Sequence, residues 1–240
     1  MYVADAAEAR TYAVALRRRV RGLPGVEVFL APPYPFIADV AQVLASSPVE
    51  VGAQAISPHT EPPHTGEVSG HMLKGAGASF AIVGHSERRA AGETNDIVRA
   101  SLERAVESGL TPILCVGERE REQDGEHFAF IEAQLTSALK NFPKNLLKKL
   151  VVAYEPVWAI GKSAEDAMRA EELEEMVIFV RKMLADLLDR KAALTTRVLY
   201  GGSVEPANAA ELLGAGVNGF LVGHASADVE SFVQIIKACK

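Results

Sequence analysis

Seven short apolar runs, separated by longer stretches with helical spacing, constrain this chain more than any other feature. The runs cover residues 26–30, 49–53, 80–83, 112–116, 150–154, 197–200 and 219–222. Each is too short for a helix and apolar enough to be covered on both faces, as buried parallel strands are. The helix-like stretches cover residues 6–20, 95–108, 127–139, 171–189, 206–213 and 227–238. Strand–helix alternation of this kind predicts an α/β fold built on a parallel sheet. No Gly-, Pro- or Ser-rich linker interrupts it, so a single domain over residues 1–240 is expected. At 240 residues and 25.7 kDa the chain can bury the core of a barrel. A closed (β/α)8 barrel needs eight strands, and seven are visible because the chain opens directly on a helix pattern.

Bulk composition narrows the function classes. The net charge of −6 and pI near 5.6 argue against a general nucleic-acid binder, although a local site can still be positive. No apolar run approaches the ~20 residues of a membrane span, and no basic segment followed by a hydrophobic one marks a secretory leader. The two cysteines, Cys115 and Cys239, suit a reducing compartment without structural disulfides, and a cytoplasmic location is expected. Cys115 lies in an apolar run and reads first as a packing residue.

The chemistry concentrates at strand ends. The segment Ala153-Tyr154-Glu155-Pro156-Val157-Trp158-Ala159-Ile160-Gly161 delivers a carboxylate at the end of an apolar run, then a proline, the single tryptophan and a glycine. A base at Glu155 followed by a hinged lid explains that order; a surface glutamate at a strand end is the plain alternative. The segment Ala81-Ile82-Val83-Gly84-His85-Ser86-Glu87-Arg88-Arg89 presents a histidine where a helix begins. Positive helix ends disfavour imidazolium, so His85 can serve as a neutral hydrogen-bond donor. The alternative is a structural histidine. Two glycine turns, Tyr200-Gly201-Gly202-Ser203 and Val222-Gly223-His224-Ala225, follow consecutive strands near the chain end. Glycines let backbone N–H groups approach an anion, and in barrels this is the common place for a phosphate.

Together these segments resemble the triosephosphate isomerases, over essentially the whole chain. The likeness extends to Ala31-Pro32-Pro33, Gly52-Ala53-Gln54, Thr65-Gly66-Glu67-Val68-Ser69, Met72-Leu73-Lys74 and Leu114-Cys115-Val116-Gly117-Glu118. The resemblance implies the TIM barrel. It also implies interconversion of dihydroxyacetone phosphate and D-glyceraldehyde 3-phosphate through an enediolate, in glycolysis and gluconeogenesis, with no cofactor and no metal. On the same basis Glu155 is the base and neutral His85 polarises the carbonyl. Ser86 contacts Glu155 in the empty site, while Glu87 and Cys115 support the pair. The amides of Gly161, Ser203, Gly223 and His224 hold the phosphate. Pro156, Val157, Trp158, Ala159 and Ile160 form the lid's hinge, with Tyr200 as a latch. Thr65, Gly66 and Glu67 belong to a dimer arm, so a homodimer is implied, with neither nucleic acid nor membrane as partner.

Several departures from the family pattern stand out. The family's first strand ends in Asn-X-Lys, and no lysine precedes Lys74 here. A chain truncated at its N-terminus explains this, through a misplaced start codon or a cloning boundary. The expectation is then that these 240 residues have little activity and that about ten upstream residues restore it. The alternative is a lineage without the strand, and with it a catalytically impaired barrel kept for association. At the lid tip the chain reads Gly161-Lys162-Ser163-Ala164-Glu165-Asp166-Ala167. The second hinge falls at 162–164 or at 165–167, of which the latter is favoured. His224 stands where the family has a second glycine. It is strained if φ must be positive, and an imidazole pointing to solvent is favoured over a new phosphate ligand. His59, His64 and His71 share a Pro-rich loop without acidic partners at helical spacing, so a metal site is not expected there.

Overall fold

In the computed structural model, residues 2–60, 63–121, 125–143, 149–162 and 167–240 are described. The first element is α1 (Ala6–Val20), and Asp5 starts it. The Asp5 carboxylate accepts from the Glu8 amide at 2.8 Å, satisfying one N–H that the first turn leaves free. Ala9, Tyr12, Ala13, Leu16 and Val20 recur at helical spacing and form its buried face.

β1 (Val28–Leu30), α2 (Ile37–Leu44), β2 (Val49–Ala53), α3 (Gly70–Gly75), β3 (Phe80–Val83), α4 (Ser86–Ala90) and α5 (Asn95–Glu107) follow. After them come β4 (Thr111–Val116), α6 (Glu126–Leu139), β5 (Val151–Tyr154), α7 (Ala170–Leu187) and α8 (Arg190–Thr195). The chain closes with β6 (Arg197–Tyr200), α9 (Ala209–Gly214) and α10 (Val229–Ala238).

All six strands pair in parallel, and their spatial order is their chain order. Parallel neighbours cannot be joined by a tight turn, so each step needs a crossover, which helices supply here. One consequence positions the site: every strand's carbonyl end lies at the same edge of the sheet, and the loops after β3, β4, β5 and β6 gather there.

Alternation along the strands splits the core in two. Phe80, Ile82, Ile113, Cys115, Val151 and Ala153 form one cluster, on one face of the curled sheet. Their intervening neighbours Ala81, Val83, Leu114, Val116, Val152 and Tyr154 belong to the larger cluster with the helices. Register sets the inner residues side by side. Ile82 is level with Ile113, Ile113 with Val151 and Val151 with Arg197, while Cys115 is level with Ala153 and Ala153 with Leu199. Such layers are how small barrels fill their interior. At the opposite end from the site the Arg197 guanidinium lies over an aromatic face, 5.8 Å from the Phe29 ring centroid, and also pairs with Glu27.

The seventh expected strand, at 219–222, is reduced to a single parallel bridge between Tyr200 and Phe220. Two hydrogen bonds hold it: Tyr200 N donates to the Gly219 carbonyl and Leu221 N to that of Tyr200, at 3.1 and 2.9 Å. Gly219 at φ +148 and Gly223 bracket it, so extended backbone is too brief for a ladder. The expected first strand loses residues 26 and 27, and the helix expected from 206 begins at Ala209. Two helices, α2 and α8, go beyond what the sequence predicts. α2 follows a Pro-rich turn and α8 is a short capped helix, so neither offers a long periodic pattern.

Candidate active site

β5 carries Glu155 to the middle of the gathered edge. The ladder continues one residue past the strand, with Glu155 N donating to the Val116 carbonyl at 2.8 Å, and Gly201 N donating to the Tyr154 carbonyl at 2.7 Å. Pro156 then ends the extended run. The two flanking strands meet Glu155 with glycine. A Cβ at Gly117 would collide with the Glu155 carbonyl oxygen, and one at Gly201 would lie 2.8 Å from its Cγ. Backbone packing this close leaves Glu155 only 2% exposed.

A buried carboxylate needs partners. Its Oε2 accepts from the Ser86 amide at 2.9 Å, and its Oε1 lies 3.1 Å from His85 Nε2. The Cys115 side chain is a neighbour of the carboxylate and favours its charged form. Burial raises the Glu155 pKa above the ordinary carboxylate range; His85, the Ser86 amide, the Cys115 thiol and the Arg89 charge pull in the opposite direction. Burial pushes the Cys115 thiol up strongly, aided by the Glu155 charge, so it stays protonated.

Gly84, at φ +71, turns the chain sharply out of β3. His85 follows as the residue before α4, and its Nδ1 accepts from the Glu87 amide at 3.3 Å. That bond fixes the tautomer: Nδ1 carries the lone pair, so the proton is on Nε2, facing Glu155. Ser86 and Glu87 thus both act through backbone amides, and the Glu87 carboxylate is exposed. Beneath the pair, Arg89 spans two strand ends. Its Nε donates to the Gly84 carbonyl at 2.8 Å, Nη1 to Asn95 Oδ1 at 2.8 Å and Nη2 to the Cys115 carbonyl at 3.3 Å.

Glu118, to which the sequence motifs assign no role, is the other buried carboxylate at this edge. Its Oε1 accepts from Trp158 Nε1 at 2.8 Å and from the Tyr154 hydroxyl at 2.9 Å, with Arg121 at 3.5 Å. Val157 N donates to its carbonyl at 2.9 Å. The turn Val157–Ala159 is therefore tied to the β4 loop by side chain and main chain. Gln134 of α6 clamps the same loop, accepting from Gly117 N at 2.8 Å and donating to its carbonyl at 3.2 Å. The sequence does carry a signal for Glu118: an acid just past a glycine that ends an apolar run. Arg89 and Gln134 carry no such signal.

Ala159 is buried, Ile160 is exposed, and Gly161 at φ +74 occupies a left-handed position that favours glycine. The Ser203 hydroxyl donates to the Ala159 carbonyl at 2.9 Å, linking the loop after β6 to the base of the expected lid. Tyr200 is fully buried, with its hydroxyl against Gly202, and burial raises its pKa. Both expected positions of the second hinge include residues among 163–166, which lie outside the described residues.

Gly223 and His224 are exposed at the end of the bridge segment, where a short helical turn, His224–Ala227, begins. Asn141 is the non-glycine residue with positive φ among the described residues, so His224 carries none of the strain that a left-handed position would impose. Thr65, Gly66 and Glu67 form an exposed turn, with Gly66 at φ +89 and Glu67 N donating to the His64 carbonyl at 3.1 Å. The His59 and His64 rings stack there, centroids 3.6 Å apart. Among the described residues no group of three or more His, Cys, Asp or Glu is placed to hold a metal ion. No helix among them is long and apolar enough to cross a membrane.

A parallel α/β barrel sheet with a buried carboxylate against an imidazole at its carbonyl edge defines a class: barrel enzymes that can move protons at carbon. Relatives narrow it. The family model described as triosephosphate isomerase matches residues 1–239. The triosephosphate isomerase of Thermus thermophilus is 42% identical over 233 residues, 96% of this chain and 92% of the relative. That of Protochlamydia amoebophila is 40% identical over 232 residues, 95% of this chain and 87% of the relative. The crystal structure of triosephosphate isomerase from Bartonella henselae superposes with a TM-score of 0.86 at 30% identity, covering 98% of this chain and 94% of that one. This chain belongs to the triosephosphate isomerase family and has its barrel fold. Nothing in the fold or the relatives favours the association-only reading.

Proposed function

We propose that this chain interconverts dihydroxyacetone phosphate and D-glyceraldehyde 3-phosphate by proton transfer within one molecule of substrate. The observation that carries the reading is the buried Glu155 carboxylate 3.1 Å from an imidazole nitrogen whose partner nitrogen accepts a backbone N–H.

Glu155 removes a proton from C1 of the ketose, and the electron pair moves onto the C2 oxygen. The Nε2–H of His85 donates to that oxygen as its charge grows, which is where a fixed donor lowers the barrier most. The hydroxyl proton on O1 passes to O2 by way of the imidazole, and Glu155 returns its proton to C2, giving the aldose. No atom is gained or lost. Desolvation has raised the carboxylate's pKa, and a carboxylate so perturbed is a better acceptor of a carbon-bound proton. In the unliganded site the Ser86 amide occupies Oε2, so binding must exchange that bond for the substrate.

In this reading the amides of Gly161, Ser203, Gly223 and His224 grip the phosphate, and residues 156–161 close over it. Closure has a purpose, since an exposed enediolate can expel its phosphate. Cys115 supports the Glu155 carboxylate. The 240 residues act as one domain, and Thr65, Gly66 and Glu67 reach a second copy in a cytoplasmic homodimer serving glycolysis and gluconeogenesis.

The test is an assay of glyceraldehyde 3-phosphate isomerisation, coupled to reduction of the ketose, on the full-length protein and on Glu155→Gln. Turnover that the substitution abolishes supports the reading. Turnover of equal rate in both proteins overturns it.

A further inference from the structure

Tyr12 is the polar member of an otherwise apolar helix face, with Ala9, Ala13, Leu16 and Val20 as its neighbours. A buried phenol needs a partner for its hydroxyl. This one finds it 214 positions away: the Tyr12 hydroxyl donates to the Ser226 carbonyl at 2.7 Å. Ser226 is itself buried and bonds back to the start of its own turn. Its amide and its hydroxyl both donate to the Gly223 carbonyl, at 3.0 and 2.7 Å.

The peptide plane makes this pattern directional. In a trans peptide the C=O of Gly223 and the N–H of His224 point opposite ways. Two donors hold the Gly223 carbonyl toward the buried Ser226, so the His224 N–H points away from it, on the exposed side of the turn. The orientation of that N–H is therefore set through Ser226, and Ser226 is anchored to α1 through Tyr12. On the other side of the turn Asp228 is held as the cap of α10, accepting from Ser231 N at 2.8 Å, and Arg19 of α1 pairs with Glu230. Burial, with the Asp228 charge second, raises the Tyr12 pKa, so the phenol remains a donor throughout the working pH range.

We propose that Tyr12 is a positioning residue for phosphate recognition, holding the Gly223–His224 peptide in its anion-facing orientation through the Ser226 carbonyl. The proposal rests on the functional reading above. Tyr12 is buried and acts through the Ser226 turn. A preorganised N–H helps hold the phosphate before and during reaction alike, so its loss weakens uniform binding and leaves the chemical step.

Tyr12→Phe removes one oxygen and keeps the ring. The experiment measures kcat and KM for glyceraldehyde 3-phosphate, the dissociation constant of inorganic phosphate and the turnover of unphosphorylated glyceraldehyde, in the full-length protein and the variant. Loss of one net hydrogen bond corresponds to a change of about three- to tenfold. Expected are a rise of that size in KM and in the phosphate dissociation constant, kcat within about twofold, and unchanged glyceraldehyde turnover. Ser226→Ala gives a smaller shift of the same kind, and the double variant falls short of the sum because both act through one peptide. The serine variant also keeps the test open should Tyr12→Phe fold poorly. Unchanged phosphate affinity in both variants, or equal losses with and without the phosphate group, overturns the proposal. A parent protein that neither isomerises nor binds phosphate overturns instead the functional reading beneath it.

Discussion

The two halves of the candidate site are built from different materials. Around Glu155 the proposed working atoms are side chains, a carboxylate and an imidazole, each held by a main-chain amide. Around Gly223 the relation is inverted. The proposed working atoms are backbone amides, and side chains serve to aim them, as Ser226 and Tyr12 do with carbonyl oxygens. Substitution should therefore act on the chemical step at the first half and on binding at the second. The physical reason is that a charge developing at carbon needs a group that changes protonation or donates to an oxyanion, whereas a phosphate keeps its charge throughout and needs only fixed donors.

The largest expected effect tests the first half. Glu155→Gln keeps the size but cannot accept the proton, and kcat should fall by about 10³-fold or more with KM little changed. His85→Gln should lower kcat by about 10²-fold, read in the same assay. A large rise in KM with kcat intact would instead put His85 in the binding half and break the division. Gly201→Ala adds a methyl at 2.8 Å from Glu155 Cγ. Displacing the carboxylate should cost about 10- to 10²-fold in kcat, and a structure of the variant should show the side chain moved.

The smaller effects concern stability. Glu118→Gln weakens charge-assisted bonds to Trp158 and Tyr154, and chemical denaturation should show a loss of about 1–2 kcal/mol. The Glu155 pKa is raised in the fold, so its contribution is intact below the unfolded carboxyl pKa and is lost as pH rises through the folded value. Glu155→Gln removes that loss. It should be more stable than the parent at neutral pH, and the difference should vanish toward pH 4. A constant difference across that range would show that the buried charge is not its source.

Much of the first half is legible in the order of residues. Glu155 and His85 each close an apolar run of strand length, and strands in a parallel sheet present their carbonyl ends together, so the pair belongs at one edge. Glu118 obeys the same rule, yet a carboxylate past a strand end has no mark of its own; its partners Trp158 and Tyr154 lie 40 and 36 positions away. The seventh strand shows the converse. Its residues 219–222 carry strand-like composition, but flanking glycines leave it one bridge long. Strain at His224 depends on a backbone angle that residue identity does not encode.

By its sequence alone this chain is committed to a parallel sheet wrapped by helices, with an acid, an imidazole and glycine turns at the carbonyl ends of its strands. Those features are local, because side-chain alternation, helical spacing and glycine's freedom act over a few residues. Which of these groups meet is decided only when the strands take register. Register brings Glu155 within 3.1 Å of His85 and lets a tyrosine on the first helix hold a turn near the last, because buried polar groups choose their partners by proximity in space.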